Sequence, residues 1–301
     1  MTRTFLAACL LMSITKLYAQ EEVKLPVELA KFKWVNELPE GKYAGVEHGT
    51  YHSQAMNLEV GYCIYLPPQY HQQKEKEKRF PVVYQLHGGR PGGETKNVSL
   101  AAGFDEAMKA GKVPPMIVVF VNGGVVSHYD YPKYKSLGET TFIKELIPHI
   151  DAKYRTIAQR QGRALQGFSQ GGRGTGRLMF KYPELFCSAA PLGGGHQHEK
   201  RISENQGDEG AFQFEVGHNT YDLARRYAEK KQPPLRIMIM VGDKDMNYEA
   251  NLDWMKHLKS LDIPFEHEIL PNVAHNSTLV FQQRGEKIMN FHAESFRQAS
   301  K

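Results

Sequence analysis

A serine between two glycines is the residue of this sequence whose setting best suits nucleophilic chemistry. The segment Gly167–Gly171 places Ser169 between an apolar stretch that predicts a buried strand, Arg163–Gln166, and a stretch that predicts a helix, Gly172–Lys181. A serine on so sharp a turn has strained backbone angles, which nearby glycines accommodate, and the start of the helix favours negative charge beside the hydroxyl. We interpret Ser169 as a nucleophile; the alternative is a glycine-rich turn with an incidental serine.

Two downstream segments offer the base and the carboxylate that a nucleophilic serine requires. A serine hydroxyl is a weak nucleophile at neutral pH until a base accepts its proton and a third group orients that base. His275 follows the last predicted strand, which singles it out among the 13 histidines. Asp243, Asp245 and Glu249 follow the preceding strand, and we favour Asp245 because a few loop residues are needed to bring a carboxylate beneath the imidazole.

Backbone N–H groups near the serine can stabilise the oxyanion that forms when its hydroxyl attacks a carbonyl carbon. One such group belongs to Gln170, directly after Ser169. The other is expected in the loop His87–Gly93, where glycine lets the backbone approach the substrate oxygen, and we choose Gly89. This loop lacks the Lys-Ser or Lys-Thr pair of a phosphate-binding loop, so the oxyanion interpretation is favoured.

Alternating strands and helices are predicted from Leu58 onward, and they would position these residues. The predicted strands are Leu58–Leu66, Pro81–Leu86, Met116–Val121, Arg163–Gln166, Cys187–Leu192, Leu235–Val241 and Phe265–Leu270. The predicted helices are Ala101–Ala110, Thr140–Lys153, Gly172–Lys181, Tyr221–Lys230, Tyr248–Ser260 and Phe281–Gln298. This alternation predicts an α/β fold with a mostly parallel central sheet and helices on both faces. We expect a single domain over residues 51–301, preceded by an irregular N-terminal extension over residues 20–50.

The composition is that of an ordinary globular protein with a sizeable core. Hydrophobic residues make up 41% of the 301 residues and charged residues 24%, and the formal net charge of +5 is mild. The charged run Lys74–Arg79 mostly alternates in sign, so we expect no nucleic-acid partner. Cys63 and Cys187 fall in strand-like segments that should not be neighbours in the sheet, so we expect two unpaired core residues.

The N-terminus has the layout of a secretory signal peptide. Arg3 precedes the apolar run Phe5–Ile14, and Ala19 supplies a small residue before the polar segment that starts at Gln20. The apolar run is too short for a transmembrane anchor, which needs ~20 residues. We therefore expect residues 1–19 to be a cleaved signal peptide and the mature protein to be secreted or periplasmic in a bacterium, without a membrane anchor.

Seven segments in order resemble the esterase family of α/β-hydrolases, which includes feruloyl and acetylxylan esterases, enterochelin esterases, esterase D and the mycolyltransferases. The matching segments are Tyr65–Tyr70, Val83–Gly89, Glu145–Asp151, Gly167–Gly172, Tyr182–Phe186, Gly242–Asp245 and the segment around His275. The resemblance implies the α/β-hydrolase fold, and it supports Asp245 because the family's acid generally ends a Gly-x-x-Asp. The sequence departs from the family at Ala274–Asn276, where Gly-His-Asp or Gly-His-Trp is frequent, which leaves the leaving-group side open.

These residues and this resemblance together predict an exported serine hydrolase that cleaves carboxylic esters through an acyl-enzyme. The expected substrate is a small molecule or an oligosaccharide that carries a feruloyl or acetyl group, and we expect no cofactor. The same machinery could transfer the acyl group to a sugar hydroxyl instead of water. A catalytically inactive carbohydrate-binding protein on the same scaffold is a further alternative.

Three residues near the predicted site are candidates for substrate contacts. Tyr129 and Tyr131 could stack on an aromatic acyl group or a sugar, with packing along a long loop as the alternative. Arg90, like Arg173, could bind a carboxylate or phosphate, with a surface or ion-pair role as the alternative.

The segment 193–218 is polar and glycine-rich, and it resembles an insertion that could cover the site. A solvated loop is the default expectation for it. It contains His196 and His198, whose spacing occurs in metal sites, but no obvious third ligand lies nearby, so we expect no metal.

Overall fold

The computed structural model describes residues 31–41 and 43–301. The predicted signal peptide, residues 1–19, lies outside the described residues, as does the first part of the predicted extension. Within the described ranges, no helix has both the length and the apolar character that crossing a bilayer would require.

One eight-stranded sheet forms the centre of the fold. Its strands are β1 (Val46–Ser53), β2 (Leu58–Tyr65), β3 (Val82–Leu86), β4 (Ile117–Val121), β5 (Arg163–Phe168), β6 (Ser188–Leu192), β7 (Arg236–Lys244) and β8 (Glu266–Ala274). They lie in the order β1-β2-β4-β3-β5-β6-β7-β8. β2 is antiparallel to both of its neighbours, and every other pair is parallel. The predicted mostly parallel sheet is confirmed, and the carboxyl ends of β3 to β8 meet at one edge.

Helices cover both faces of the sheet. They are α1 (Ala101–Lys109), α2 (Ile147–Lys153), α3 (Gln170–Lys181), α4 (His196–Glu204), α5 (Thr220–Ala228), α6 (Tyr248–Ser260) and α7 (Ser277–Ala299). The turn Gly138–Thr140 and the π-helical turn Thr141–Leu146 lead into α2. Short 3₁₀ turns occupy Pro68–His71, Gln73–Glu75, Val98–Leu100, Pro132–Tyr134 and Arg160–Gly162, and two small hairpins pair Asp130–Tyr131 with Ser136–Leu137 and Asp208–Glu209 with Phe212–Gln213.

The central strands are buried on both faces, which explains their uninterrupted apolar sequences. Successive side chains of a strand point to opposite sides of the sheet. In β3, Val83 packs in the cluster that contains Phe104 of α1 and Phe281 of α7. Its neighbour Tyr84 packs in the cluster that contains Ile150 of α2. Both layers of helices therefore hold the strand ends that carry the predicted site.

The predicted irregular extension is wrong over its last residues, because β1 crosses the expected boundary at residues 50–51. Upstream, the Trp34 carbonyl oxygen accepts from the Gly61 N–H at 2.7 Å. The buried Glu94 carboxylate accepts from the Asn36 N–H at 2.7 Å and from Asn122 Nδ2 at 2.9 Å. The segment that contains Trp34 and Asn36 is thus bonded to the domain. β1 escaped prediction because it is an edge strand with mostly polar, half-exposed residues.

The two cysteines of the described chain are buried and free. Cys63 lies on β2 and Cys187 directly precedes β6, so β4, β3 and β5 separate them in the sheet. Burial raises the pKa of Cys63 to about 12 and that of Cys187 to about 11. This confirms the expectation of two unpaired core residues.

Because the core contains buried histidines, we expect the fold to lose stability in mild acid. Burial lowers the pKa of His292 to about 3, and Ser188 Oγ lies 2.8 Å from its Nδ1. Because histidine titrates near pH 6.5 when unfolded, the unfolded state binds more protons below that pH, and the free energy of unfolding falls. We expect a loss of about 2 kcal/mol for this histidine between about pH 7 and pH 5. Burial lowers the pKa of His196 to about 3 in the same way.

Urea unfolding of three proteins at several pH values measures this effect. His292→Gln should show a shallower decline with acid than the wild type, whereas His267→Gln, at an exposed position of β8, should keep the wild-type slope. Parallel curves for all three proteins would contradict the prediction.

Candidate active site

Ser169 lies at the turn between β5 and α3, at the carboxyl edge of the sheet. Its backbone has φ 61° and ψ −116°, a strained conformation for a residue with a side chain. The Ser169 N–H donates to the Leu192 carbonyl of β6 at 2.9 Å, which holds the turn. A Cβ at Gly167 would lie 2.6 Å from the Gly171 backbone, and one at Gly171 would overlap the Leu86 carbonyl oxygen. The neighbouring backbone leaves no room for a side chain at either position, so both residues must be glycine, as the sequence pattern predicts.

Ser169, His275 and Asp245 form one hydrogen-bonded row. His275 Nε2 lies 2.8 Å from Ser169 Oγ, and His275 Nδ1 lies 2.8 and 2.9 Å from the two carboxylate oxygens of Asp245. If Nδ1 carries the proton and donates it to the carboxylate, Nε2 is free to accept from the serine hydroxyl. The carboxylate is fully buried, while the imidazole is 21% exposed. The geometry therefore suits transfer of the serine proton to His275.

Among the three candidate carboxylates, Asp245 is the one that contacts His275. Its Oδ1 also accepts from the Asn247 N–H at 2.7 Å, and Asn247 Nδ2 donates to the Gly193 carbonyl at 2.9 Å, so the carboxylate is fixed in place. Asp243 turns elsewhere and accepts from the Asn272 N–H at 2.7 Å. Glu249, the third candidate, lies in the first turn of α6 and is exposed. The pairing of β7 with β8 shifts register between Gly242 and Lys244, next to the point where Asp243 and Asp245 turn to different partners.

The two predicted oxyanion residues lie near Ser169: Gln170 follows it in the chain, and Gly89 lines the same cleft. Gln170 begins α3, so no helical carbonyl accepts from its N–H. Gly89 has φ +77°, its carbonyl accepts from Ser127 Oγ at 2.6 Å, and it lines the same cleft as Ser169. A Cβ at the preceding Gly88 would lie 3.3 Å from the Ser169 Cβ. The glycine loop therefore passes close to the serine.

An open cleft of about 440 Å³ surrounds Ser169 and His275. Several residues that line it were not predicted as site residues from the sequence: Lys96, Asn97, Asn276, which was noted only as a departure from the family pattern, and Ser277. The first two follow the glycine loop and the last two follow His275, so proximity in sequence to predicted site residues was the available signal. The Phe168 ring, 4.7 Å from the imidazole centroid, was likewise detectable only as a neighbour of the serine.

A comparison with known protein families identifies the kind of protein to which this site belongs. Residues 53–261 match the family model described as "Putative esterase". The chain belongs to this esterase family. In the esterase from Mycobacterium tuberculosis (strain CDC 1551 / Oshkosh) named Esterase MT1326, 148 residues align at 32% identity, which is 48% of this chain and 31% of that protein.

A second relative of this esterase-family chain is the Endo-1,4-beta-xylanase/feruloyl esterase of Xylanibacter ruminicola (strain ATCC 19189 / DSM 19721 / CIP 105475 / JCM 8958 / 23). It is 30% identical over 172 residues, which is 54% of this chain and 23% of the relative. The chain thus spans about a third or less of the length of these curated relatives.

Solved structures confirm the α/β-hydrolase fold of the esterase family. A ferulic acid esterase superposes with a TM-score of 0.68 at 21% identity and covers 83% of this chain and 98% of that one. An S-formylglutathione hydrolase from Agrobacterium tumefaciens superposes with a TM-score of 0.66 at 17% identity, with 85% and 97% coverage.

The structure places Tyr129 and Tyr131 in the packing role that was the alternative to substrate contact. Tyr129 is buried, its hydroxyl donates to Glu199, and the Arg177 guanidinium lies 3.8 Å from its ring. Tyr131 packs against Phe212, with 5.5 Å between ring centroids. Neither tyrosine lines the cleft at Ser169, so stacking on a substrate is not their role in this structure.

Arg90 and Arg173 take the ion-pair role rather than the anion-binding one. Both guanidinium groups lie near the Glu209 carboxylate, at 3.5 and 3.4 Å, and Arg173 also pairs with Glu199. Arg90 additionally stacks on the Phe212 ring, 4.5 Å from its centroid. Arg173 is buried, so it cannot meet a substrate.

The expectation of a solvated loop over 193–218 is wrong. The segment forms α4 and the small hairpin at 208–213, and Ile202 and Phe214 of this segment pack with Tyr129. His196 stacks on Trp254 with 3.8 Å between centroids, and His198 pairs with Glu209 at 2.6 Å. Over the described ranges, no group of three or more potential metal ligands comes together. The segment is thus a folded support beside α3.

Glu199 of α4 is a buried charge whose removal we expect to destabilise the fold. Besides Arg173 and Tyr129, it binds the N–H and the hydroxyl of Thr220 at 2.8 and 3.0 Å. Burial alone would raise the pKa of Glu199, but the neighbouring Arg173 lowers it below its usual range, so the carboxylate is charged. Glu199→Gln removes the closer of the two carboxylates beside the buried Arg173 guanidinium and leaves Glu209, which Arg173 shares with Arg90, as the remaining partner. We expect about 3 kcal/mol less free energy of unfolding.

Chemical denaturation compares this variant with Glu204→Gln, which changes an exposed glutamate on the same helix. The control should stay within about 0.5 kcal/mol of the wild type. Equal stability of the two variants would contradict a structural role for the buried pair.

Proposed function

We propose that the protein hydrolyses carboxylic esters through an acyl-enzyme formed on Ser169. The observation that carries this proposal is the hydrogen-bonded row from Ser169 Oγ through His275 to the buried Asp245 carboxylate. This row has the order and the contacts that activate a serine hydroxyl. Membership of the esterase family supports an ester as the substrate.

In the acylation step, Ser169 Oγ attacks the ester carbonyl carbon while His275 Nε2 accepts the hydroxyl proton. Asp245 accepts the hydrogen bond from Nδ1 and stabilises the imidazolium that forms. The N–H groups of Gly89 and Gln170 donate to the oxyanion of the tetrahedral intermediate. The intermediate collapses to the acyl-enzyme, and the imidazolium gives its proton to the departing alcohol oxygen.

In the deacylation step, a water molecule takes the place of the alcohol. His275 accepts a proton from the water as its oxygen attacks the acyl carbon, and it returns that proton to Ser169 Oγ as the acid leaves. The open cleft leaves room for this water beside the imidazole. A sugar hydroxyl in the same place would make the reaction an acyl transfer.

Carbohydrate-linked feruloyl or acetyl esters are the substrates that we propose. Support comes from the Xylanibacter relative, whose name joins a xylanase to a feruloyl esterase, and from the fold shared with a ferulic acid esterase. The N-terminal layout Arg3, Phe5–Ile14 and Ala19 supports export, which would bring a bacterial enzyme to such polymers.

Release of acid from feruloylated and acetylated xylo-oligosaccharides tests this proposal, with a free sugar acceptor added in parallel. Liquid chromatography should detect free ferulate or acetate, together with the Ser169-containing peptide in acylated form after rapid quenching. Acylated sugar acceptor in place of free acid would assign the protein to the transferases. If the protein turns over simple aryl esters but neither oligosaccharide, the proposed carbohydrate substrate is wrong.

A further inference from the structure

Lys96 is a cation in the active-site cleft that the proposed mechanism does not use. Its Nζ lies so close to Gly89 that a Cβ at that glycine would overlap it. Lys96 also lines the same cleft as Ser169 and His275. The ammonium group therefore lies beside one of the two proposed oxyanion donors, within reach of a substrate held at the serine.

No acidic side chain in the lining of this cleft neutralises the Lys96 charge. The cleft is otherwise lined by glycine backbone and by uncharged residues, Asn97, Phe168, Asn276 and Ser277, besides the serine and the histidine. Partial burial lowers the pKa of Lys96, and among the described residues no carboxylate forms an ion pair with it. Asp245, the carboxylate of the proposed mechanism, is buried and hydrogen-bonded to His275.

Three arginines near this end of the sheet differ from Lys96. Arg90 and Arg173 share the Glu209 carboxylate, and Arg177 pairs with Glu139. Those charges are satisfied within the fold. The Lys96 charge instead faces a space that a substrate would enter, and a carboxylate placed there would form a charge-assisted hydrogen bond.

We propose that Lys96 makes the cleft selective for esters that carry a carboxylate near the scissile carbonyl group. The carboxylate belongs either to the acyl part, as in a half-ester of a dicarboxylic acid, or to the alcohol part, as in an acylated acidic sugar. This inference rests on the proposed function and adds the charge of the preferred substrate to it.

Matched pairs of synthetic esters separate these two sources of charge. On the acyl side, mono-4-nitrophenyl adipate is compared with neutral 4-nitrophenyl hexanoate, since a longer acid does not readily form a cyclic anhydride with loss of nitrophenolate. On the alcohol side, 4-acetoxybenzoate is compared with its methyl ester. The measured quantity is the ratio of kcat/KM for the anionic ester to that for its neutral partner, in the wild type, Lys96→Met, Lys96→Arg and Lys256→Met. The last variant changes an exposed lysine of α6 outside this cleft.

We expect Lys96→Met to lower the anionic-to-neutral ratio about tenfold in at least one pair. Lys96→Arg should retain most of the ratio, Lys256→Met should keep the wild-type value, and added salt should reduce the wild-type ratio. The pair that responds identifies the part of the substrate that carries the charge. A ratio that Lys96→Met leaves unchanged overturns the proposal. Equal losses on anionic and neutral esters also overturn it, because Lys96 would then act on the oxyanion or on the loop.

Binding to Ser169→Ala provides a readout that does not depend on turnover. In the pair that responds in the kinetic comparison, calorimetry should show that the anionic ester, mono-4-nitrophenyl adipate or 4-acetoxybenzoate, binds more tightly than its neutral partner. The added substitution Lys96→Met should abolish that preference. Charge-dependent binding without turnover by the wild type would refute the proposed function and keep this inference, whereas turnover without charge preference would do the reverse.

Discussion

Replacing Ser169 by alanine should lower kcat/KM for 4-nitrophenyl acetate by at least ~10⁴-fold. The hydroxyl oxygen is the atom that forms the acyl bond, and its contact with His275 Nε2 at 2.8 Å is the contact through which its proton leaves. Alanine removes that atom and keeps the Cβ, so the turn between β5 and α3 should persist. The unfolding temperature should therefore change little while activity is lost.

Ser260→Ala is the matched control for this experiment. Ser260 is exposed at the end of α6, and its hydroxyl donates to the His257 carbonyl at 2.7 Å. This variant should retain wild-type kcat/KM. Turnover by folded Ser169→Ala at more than a few per cent of the wild-type rate would mean that another residue performs the chemistry.

Replacing Asp245 by asparagine should lower kcat by ~10³- to 10⁴-fold. The amide has the shape of the carboxylate but no charge, so it no longer stabilises the imidazolium of His275. Its NH₂ group can also hold the imidazole in the tautomer that cannot accept the serine proton. The Asn247 N–H, 2.7 Å from Asp245 Oδ1, keeps an acceptor in the amide oxygen, so we expect the fold to tolerate the change.

Asp243→Asn is the control that separates the two neighbouring acids. Asp243 accepts from the Asn272 N–H near the end of β8, and it makes no contact with His275 among the described residues. We expect its kcat to fall by less than about fivefold, because an amide oxygen can accept the same bond. Stopped-flow kinetics on both variants decides the assignment, and a larger loss in Asp243→Asn than in Asp245→Asn would refute it.

The central strands and the arrangement of the site could be predicted because local sequence determines them. Strands β3 to β6 are short, fully buried runs, and β7 has a buried apolar centre, as expected for strands inside a sheet that is covered on both faces. Gly167 and Gly171 frame Ser169 because side chains at those positions would collide with backbone. The order of serine, acid and histidine places each of the three at the end of a parallel strand, where the sheet edge brings them together.

The elements that escaped prediction depend on contacts between residues far apart in the sequence. α4 has few apolar residues, and its buried positions include His196 and Glu199. These polar side chains are stable in the core only because His196 stacks on Trp254 and Glu199 pairs with Arg173. The hydrophobic periodicity of the sequence cannot reveal such pairing. β1 was not predicted for a related reason: it lies at the edge of the sheet, where its strand partner is β2.

The buried arginines of α3 also depend on distant contacts, because their charge suggests a binding role in the sequence whereas the fold uses it in internal ion pairs. Arg173 follows Ser169 closely, which suggested an anion-binding role. In the fold, Arg173 and Arg177 point to Glu199 and Glu139 and are almost fully buried. A charge near a nucleophile in sequence can thus belong to the support of the helix, while Lys96, farther from the serine in sequence, lies in the cleft itself.

Labelling of the purified protein with a fluorophosphonate, followed by peptide mapping, tests the central claim most directly. This probe reacts with a serine whose hydroxyl is activated, and it requires no knowledge of the natural ester. The account predicts stoichiometric labelling on the peptide that contains Ser169, and loss of that labelling in folded His275→Ala. Labelling at another residue, labelling that survives His275→Ala, or no labelling of the folded wild type would contradict the assignment of Ser169 as an activated nucleophile.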